Sequence, residues 1–494
     1  MKILLMNPPF KNELGKFSRE QRSPAITKSG TFYYPMWLSY AAVVLEEAGH
    51  EVKLIDAPAS QKSFDEIFKE IKNIEFQMIV VDTSTPSIVN DCNIAVKLKE
   101  HFGVFTVLVG PHPSALPGES IQLVKGVDAV ARGEYEETLN ELAQYLEKNP
   151  AADLSGLQNI DGLSFIFNDE IYHNKNREPN SNLDELPFVS KAYKKYLNYG
   201  DYFYAHSKYP IVTMITGRGC PHQCVYCVYP QVFSGRKLRY RSVSNVVDEI
   251  EYILKEFPDL KAIMFEDDTL TINKKRCKEF AEEILKRGLK FQWDANSRCD
   301  VDLETMQILK KAGARLFCVG VESGVQEVLD NMKKNLKVSQ IKQFFKDAKK
   351  AGIMIHGCFL VGNPGETKET LEKTLELAKE LNPDTAQFFP IMVYPGTEAY
   401  KWATENGYLK TSNFNEWLTE DGLHNSIVSR TGLTDKELVE FCDRARKEFY
   451  LRPKYIINKG FQSLSDPHEF KRLIKGGLTL SQYLFRGTFQ GKKC

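Results

Sequence analysis

The sequence lacks any uninterrupted apolar run near the roughly 18 residues that a membrane-spanning helix needs. It also lacks an excess of charge of either sign, since 65 Lys and Arg are matched by 65 Asp and Glu. That balance removes the usual electrostatic basis for binding nucleic acid or an anionic membrane surface. A small-molecule or lipid-like substrate is expected instead. Cysteine is scarce, with ten in 494 residues, too few for a disulfide scaffold in so long a chain. The start, Met1 to Met6, is apolar like the beginning of a signal peptide. Asn7-Pro8-Pro9 breaks it at once, and no small-residue cleavage site follows. It reads as a first strand, and the expected compartment is a reducing cytoplasm, where thiols serve metals or cores.

What is present is a soluble globular composition, 42% apolar and 26% charged. The length suits two to four domains of roughly 100–200 residues each. Residues 1–150 alternate short apolar runs with amphipathic helical patterns. Strands are expected at Lys2–Met6, Glu51–Ile55, Met78–Thr83, Phe105–Gly110 and Asp128–Arg132, with a helix over Trp37–Gly49. That alternation predicts an α/β fold with a doubly wound parallel sheet, whose ligand site lies at the carboxyl ends of the strands. Residues 151–200 read as a linker carrying a hairpin, Leu163–Phe167 and Glu170–His173. Within 201–400 six further strands are expected, at Ile211–Thr216, Ala262–Glu266, Phe291–Ala295, Leu316–Val321, Met354–Val361 and Ala386–Val393. Six suit an open, partial (β/α)6 barrel, whereas a closed barrel needs eight. Residues 401–494 are mainly helical, notably Asp435–Tyr450, and end in a Gly/Lys-rich tail.

Three of the ten cysteines, Cys220, Cys224 and Cys227, fall within eight residues directly after an expected strand. A loop with that spacing can wrap its thiolates around one metal centre. A structural zinc would want a fourth protein ligand, and His222, set among the ligand positions, is poorly placed to provide it. An iron–sulfur cube has four irons, so three thiolates leave one iron open. Cys277, Cys299, Cys318, Cys358 and Cys442 are read as core thiols.

The motif Cys220-x-x-x-Cys224-x-x-Cys227 after the first barrel strand resembles the signature of the radical S-adenosylmethionine enzymes. The resemblance implies a [4Fe–4S] cluster on these cysteines, with the open iron chelating the amino and carboxylate groups of S-adenosylmethionine. One electron, from a donor such as a flavodoxin or ferredoxin, then yields a 5′-deoxyadenosyl radical. Residue by residue it implies S-adenosylmethionine contacts from Glu266 and Asp267 at the second strand and from Arg298 and Glu322 after the third and fourth. Gly362 and Pro364 in the fifth-strand turn would pack the adenine, with Tyr226 at its edge. The plainer readings are strand-end solvation and a helix cap for Glu266 and Asp267, and packing for Tyr226.

The preceding doubly wound domain is similar to the cobalamin-binding domain of one subgroup of that family. Its rim carries Ser84-Thr85-Pro86-Ser87, Gly110-Pro111-His112 and Gly133-Glu134, which the resemblance assigns to cobalamin. The Asp-x-His-x-x-Gly motif that supplies a cobalt-ligating histidine in cobalamin mutases is absent, the domain's histidines being His50, His101 and His112. Cobalamin is therefore expected without histidine ligation, its lower face against Thr83–Ile88 and its tail passing Gly110. His112 reads as a polar residue on a stiff exposed turn rather than a ligand.

By this resemblance the chain is expected to be a methyltransferase acting on an unactivated carbon. The radical would remove a hydrogen atom, methylcobalamin would supply the methyl group, and a second S-adenosylmethionine would restore it. Gln387, Tyr394 and Pro395-Gly396-Thr397 would help shape the substrate pocket. The alternative is a rearranging, cyclising or ring-modifying member without methyl transfer. Phe32–Leu38 and Asp56-Ala57-Pro58 resemble members acting on hopanoid or other natural-product intermediates, although the same positions make good core packing. A methylthiotransferase fits less well, because its N-terminal domain should supply cysteines for a second cluster and this one has only Cys92. A non-enzymatic metal-binding protein is the reading from a different class.

Overall fold

Two mainly parallel sheets carry the chain in the computed structural model, which describes residues 1–465 apart from 21–23 and 150–153. The first sheet is built from β1 (Lys2–Asn7), β2 (Glu51–Asp56), β3 (Met78–Asp82), β4 (Phe105–Val109), β5 (Ala129–Ala131), β6 (Leu163–Phe167) and β7 (Glu170–His173). Its spatial order is β2-β1-β3-β4-β5-β6-β7. The five strands up to β5 run parallel, with helices between them, as the alternating pattern requires. Their residues serve both faces in turn: Leu4, Met6, Ile79, Val81 and Leu108 pack on one side. Ile3, Leu5, Met78, Val80 and Val107 pack on the other.

The hairpin expected in the linker forms at the residues expected, but it does not stand apart. β6 pairs antiparallel with β5, Ala131 facing Leu163, so the hairpin extends the first sheet. Turn residues Asn168 and Asp169 take the positive φ values, 51° and 62°, that a two-residue connection needs. The side chain of Arg132 ties the hairpin down, donating to the Leu163 carbonyl at 3.0 Å and to Asn176 at 3.2 Å.

The second sheet contains β8 (Ile211–Met214), β9 (Ala262–Phe265), β10 (Trp293–Ser297), β11 (Ala314–Gly320), β12 (Met354–Val361) and β13 (Thr385–Pro390). All six are parallel and lie in chain order, an open barrel wall. β10 starts two residues later than its apolar pattern suggests. Its register shifts between Trp293 and Asp294, and Asp294 is buried on an Arg315 guanidinium at 2.7 Å. The last strand's edge is covered by the helix Asp435–Tyr450, begun by a Thr434/Glu437 capping box. The Tyr450 hydroxyl accepts from Ala386 N at 2.8 Å and donates to Ala386 O at 2.7 Å, which satisfies ladder groups that an edge strand leaves open.

The two sheets share one apolar interior. It runs from Val80 and Val107 through Trp37 and Phe233, whose rings lie 4.7 Å apart, to Ile263 and Phe317. Phe32 and Tyr34 belong to it, stacked on Tyr202 at 5.3 and 3.8 Å, so that segment packs core. No helix among the described residues is long and apolar enough to cross a membrane. The Gly/Lys-rich tail and Cys494 lie outside the described residues.

Candidate functional site

The cysteine loop leaves the carboxyl end of β8 and is closed at its base by a two-stranded ribbon, Gly217–Arg218 against Arg239–Tyr240. Gly219 has φ +86°, and a Cβ there would run into the Lys237 carbonyl, so the close crossing requires glycine. Cys220 N donates to Gly235 O at 3.2 Å. Gln231 Nε2 reaches the carbonyls of Cys224, Val225 and Cys227 at 3.3, 3.2 and 2.8 Å. These bonds shape the loop through its backbone and leave the sulfurs uninvolved. Cys220 and Cys224 are buried, Cys227 is half-buried, and none is in a disulfide. Three reduced thiols on one closed turn are a donor set that suits an iron–sulfur cluster.

Around the loop, the strand ends bring together some expected residues and divert others. Tyr226 donates to Glu322 Oε1 at 2.8 Å, and Lys334 Nζ bridges both, 2.7 Å from Glu322 and 3.0 Å from Tyr226. Glu322 has φ +65°, a strained conformation that turns its carboxylate back over Gly320. Burial lowers the affinity of Lys334 for its proton, but Glu322 and Cys224 raise it further, so the ammonium is held above its ordinary value. Arg298 donates to the carbonyls of Lys334 and Asn335 at 2.8 and 3.3 Å, which fixes that turn. Lys334 carries no motif and lies outside every expected strand end, so sequence reading missed it.

Glu266 accepts from Asn296 Nδ2 at 3.0 Å. Asp267 has a different task, because its two oxygens take Thr216 N at 3.0 Å and Thr216 Oγ1 at 2.7 Å. It thus latches the root of the cysteine loop to β9, the capping role set beside the cofactor role above. Burial pushes its carboxyl up to about 6, against the pull of those Thr216 bonds.

Gly362, at φ +92°, begins a turn wrapped around Glu366. The Glu366 carboxylate accepts from Gly362 N at 2.5 Å and Asn363 N at 3.0 Å, and the Pro364 carbonyl accepts from Asn331 at 3.3 Å. Burial pushes Glu366 up to about 7, although both amides favour the charged form. Its folded value lies above the ordinary 4.5, so the stability it contributes is complete below about 4.5 and is lost as pH rises through about 7. Glu366→Gln keeps an acceptor oxygen without the charge. Its melting temperature should fall less than that of the wild type between about pH 5 and 8, and parallel slopes would refute this account.

The inner face of the barrel wall departs from expectation at two cysteines. Cys318 and Cys358 are half-buried lining residues with sulfurs 4.0 Å apart, not core thiols, because β11 and β12 turn them towards the barrel interior. Their mutual hydrogen bond, then burial, raises the Cys358 thiol well above its usual range. Cys277, Cys299 and Cys442 are buried as expected. Gln387 is exposed on β13, whereas Tyr394 is buried and Thr397 caps the helix Glu398–Glu405.

At the first sheet's carboxyl rim the turn Thr85–Ser87, with Pro86 at its centre, is buried. Ser84 and Ser87 share a 2.8 Å hydrogen bond, and Ser87 donates to Asp91 at 2.5 Å. Asp91 also takes a two-pronged contact from Arg19, at 2.6 and 3.1 Å. His112 is not on an exposed turn. Pro111 starts a short helix, Pro111–Ala115, that buries His112 edge-on against Phe414 at 4.7 Å, with Nδ1 3.1 Å from Thr85 Oγ1. Burial lowers its pKa to about 3, so the ring is neutral. Gly110, at φ +117°, is needed because a Cβ would strike the Thr83 carbonyl. Its small size thus brings two rim loops together.

Gly133 N is held by Ser114 Oγ at 2.9 Å, and Glu134 crosses to the second sheet. It accepts from Arg239 at 2.5 and 2.9 Å and from Arg218 at 3.0 Å, while Glu136 also pairs with Arg218. All four charges are buried and they cancel. The Arg218 guanidinium lies over Trp37 and Tyr40 at 4.8 and 4.7 Å. Two buried polar atoms beside the rim, Asp82 Oδ2 and the Tyr135 hydroxyl, have no hydrogen-bond partner. Such orphaned atoms flanking the three rim loops fit a polar-edged ligand such as a corrin. Burial, opposed by Arg19, pushes Asp82 up to about 7.

Comparison with known proteins finds a separate family match in each part of the chain. The model of the radical SAM superfamily matches residues 214–378, and that of the B12 binding domain matches residues 22–143. An uncharacterized methyltransferase of Pyrococcus horikoshii is 32% identical over 484 residues, 96% of this chain and 98% of that protein. The anaerobic magnesium-protoporphyrin IX monomethyl ester cyclase of Cereibacter sphaeroides is 28% identical over 425 residues, covering 85% and 67%. Among solved structures, a radical S-adenosylmethionine methyltransferase of Kitasatospora setae superposes with a TM-score of 0.68 at 16% identity, covering 92% of this chain and 89% of that one.

Proposed function

The chain belongs to the cobalamin-dependent radical S-adenosylmethionine enzymes, and from that premise we propose that it is a methyltransferase acting on an unactivated carbon of a small-molecule or lipid-like substrate. The observation that carries the reading is the buried joint of Glu134 and Glu136 with Arg218 and Arg239. It fastens the rim of the first sheet to the base of the cysteine loop, so two cofactors held there would face a common space. The 32% identity to a methyltransferase supports the same conclusion.

In this reading Cys220, Cys224 and Cys227 hold the [4Fe–4S] cluster. Glu322 and Lys334 hold the methionine and ribose end of S-adenosylmethionine, with Arg298 as the brace of Lys334, Glu266 at the neighbouring strand end, and Tyr226, bonded to Glu322, at the adenine edge. The turn from Gly362 to Pro364 packs the adenine. Cobalamin would lie on Ser84–Ser87, Gly110–His112 and Gly133, without histidine ligation, since the domain lacks the Asp-x-His-x-x-Gly motif and His112 is buried against Phe414 with Nδ1 engaged by Thr85. The bound cofactors supply a 5′-deoxyadenosyl radical and a transferable methyl group. The protein's own part is to orient them and to keep water from a reactive carbon centre. A flavodoxin or ferredoxin serves as reductant.

A second reading, ring modification without methyl transfer, is favoured by the 28% identity to a cyclase. S-adenosylmethionine labelled in its methyl group separates the two. The anaerobic enzyme, supplied with the compounds that accumulate when its gene is deleted, is expected to place labelled methyl in product and to release 5′-deoxyadenosine alongside. Product that forms with 5′-deoxyadenosine but no label would replace the first reading with the second.

A further inference from the structure

We propose that Cys318, His356 and Cys358 form a mononuclear zinc site on the inner wall of the barrel, separate from the cluster loop. Among the described residues these three are the one group of His, Cys or carboxylate side chains whose ligand atoms all lie within 4.8 Å of one another. The backbone explains the convergence. Cys318 on β11 and His356 on β12 are directly paired in register, and Cys358 follows His356 by two residues on the same face. The register partner of Cys358 is Gly320, which has no side chain to come between the two sulfurs.

The chemistry of the trio matches zinc. Two thiolates and one imidazole are a soft-to-borderline donor set, and sulfurs bound to one tetrahedral zinc sit about 3.8 Å apart. Here they are 4.0 Å apart. His356 Nδ1 is 2.7 Å from Thr385 Oγ1, an outer hydrogen bond of the kind that orients metal-bound imidazoles. The ring also stacks on His206 at 5.2 Å, which fixes its plane.

Three protein ligands leave the fourth position of a tetrahedral ion open, the arrangement of zinc sites that bind substrate rather than only structure. That position faces the barrel interior, since all three residues are half-buried there. It adjoins the reacting space, because the tips of Glu322 and Lys334 close over Gly320, one pleat along β11 from Cys318. The zinc would therefore anchor a substrate through a coordinating heteroatom, an alkoxide, thiolate or amine, below the site of hydrogen abstraction. The ion itself does not depend on whether methyl is transferred.

Metal analysis of the anaerobically purified holoenzyme tests this without an assay of turnover. About one zinc per chain should survive dialysis against a weak chelator, in addition to the cluster iron and the corrin cobalt. X-ray absorption at the zinc edge should show two sulfurs near 2.3 Å and a nitrogen near 2.0–2.1 Å. Cys318→Ser/Cys358→Ser should lose the zinc and keep its iron and cobalt. Thr385→Val, a milder change, should weaken zinc binding about 10–100-fold. No retained zinc, an absorption spectrum with only oxygen or nitrogen ligands, or unchanged zinc in the double variant would overturn the proposal. Loss of iron in the wild type would instead count against the cluster reading.

Discussion

Cys224→Ala is expected to bring reductive cleavage of S-adenosylmethionine down to background, a fall on the order of the ~10⁶-fold or greater accelerations that enzymes achieve. The reasoning is local. A cluster with one open iron is held by three thiolates, and removing one leaves two irons without a protein ligand. The loop should survive the change, because Gln231 holds the carbonyls of Cys224, Val225 and Cys227 and touches no sulfur. Val225 N also remains bonded to Met332 O at 3.1 Å. The variant should therefore melt close to the wild type while losing iron and 5′-deoxyadenosine formation together. Normal 5′-deoxyadenosine yield from folded Cys224→Ala would exclude the cysteine loop as the cluster site.

Glu134→Gln should produce the largest loss of stability from a single conservative change, about 3–5 kcal/mol. Glu134 serves two buried guanidinium groups, Arg218 and Arg239, with exposures of only 1% and 3%. Glutamine preserves the shape but leaves two arginines with one carboxylate, Glu136, and so one uncompensated buried charge. Arg218 keeps Glu136, whereas Arg239 keeps only the carbonyls of Asn180 and Ser234, at 2.8 and 2.9 Å, which places the uncompensated charge chiefly on Arg239. Because Arg239 pairs with Arg218 in the ribbon that closes the loop just before Gly219 and Cys220, the cluster loop should loosen as well. Denaturant unfolding measures the first effect and iron retention the second. A change within about 0.5 kcal/mol with full iron content, as for ordinary surface substitutions, would show that the joint bears neither load.

The sequence made the strands legible where burial on both faces produces continuous apolar runs, as in Met78–Asp82 and Ala262–Phe265. It misled at Trp293–Ser297, where Asp294 and Asn296 look wrong for a buried strand. Asp294 is there as the partner of Arg315, and that pairing has no signature along the chain. The hairpin was visible, but its attachment to β5 depends on an edge that only the assembled sheet presents. In the candidate site the three cysteines were legible because they are close together in sequence. Lys334, Arg19 and Arg239 were not, since each finds its partner through the fold and sits in an unremarkable polar stretch. His112 was misplaced for a related reason. Flanking prolines suggest an exposed turn, and nothing local announces that Phe414 covers it.

The unbroken interior from Val80 to Phe317 bears on how such enzymes can be rebuilt. Chimeras are commonly designed by exchanging one recognisable module for another at the segment between them. A graft across residues 150–200 would here replace half of the wall against which Trp37, Tyr40 and Phe233 are fitted. A donor with a compatible corrin pocket but different side chains at those three positions would bring its chemistry and lose its seat. The unit for recombination in this chain is therefore the pair of modules together with the contact they were shaped around.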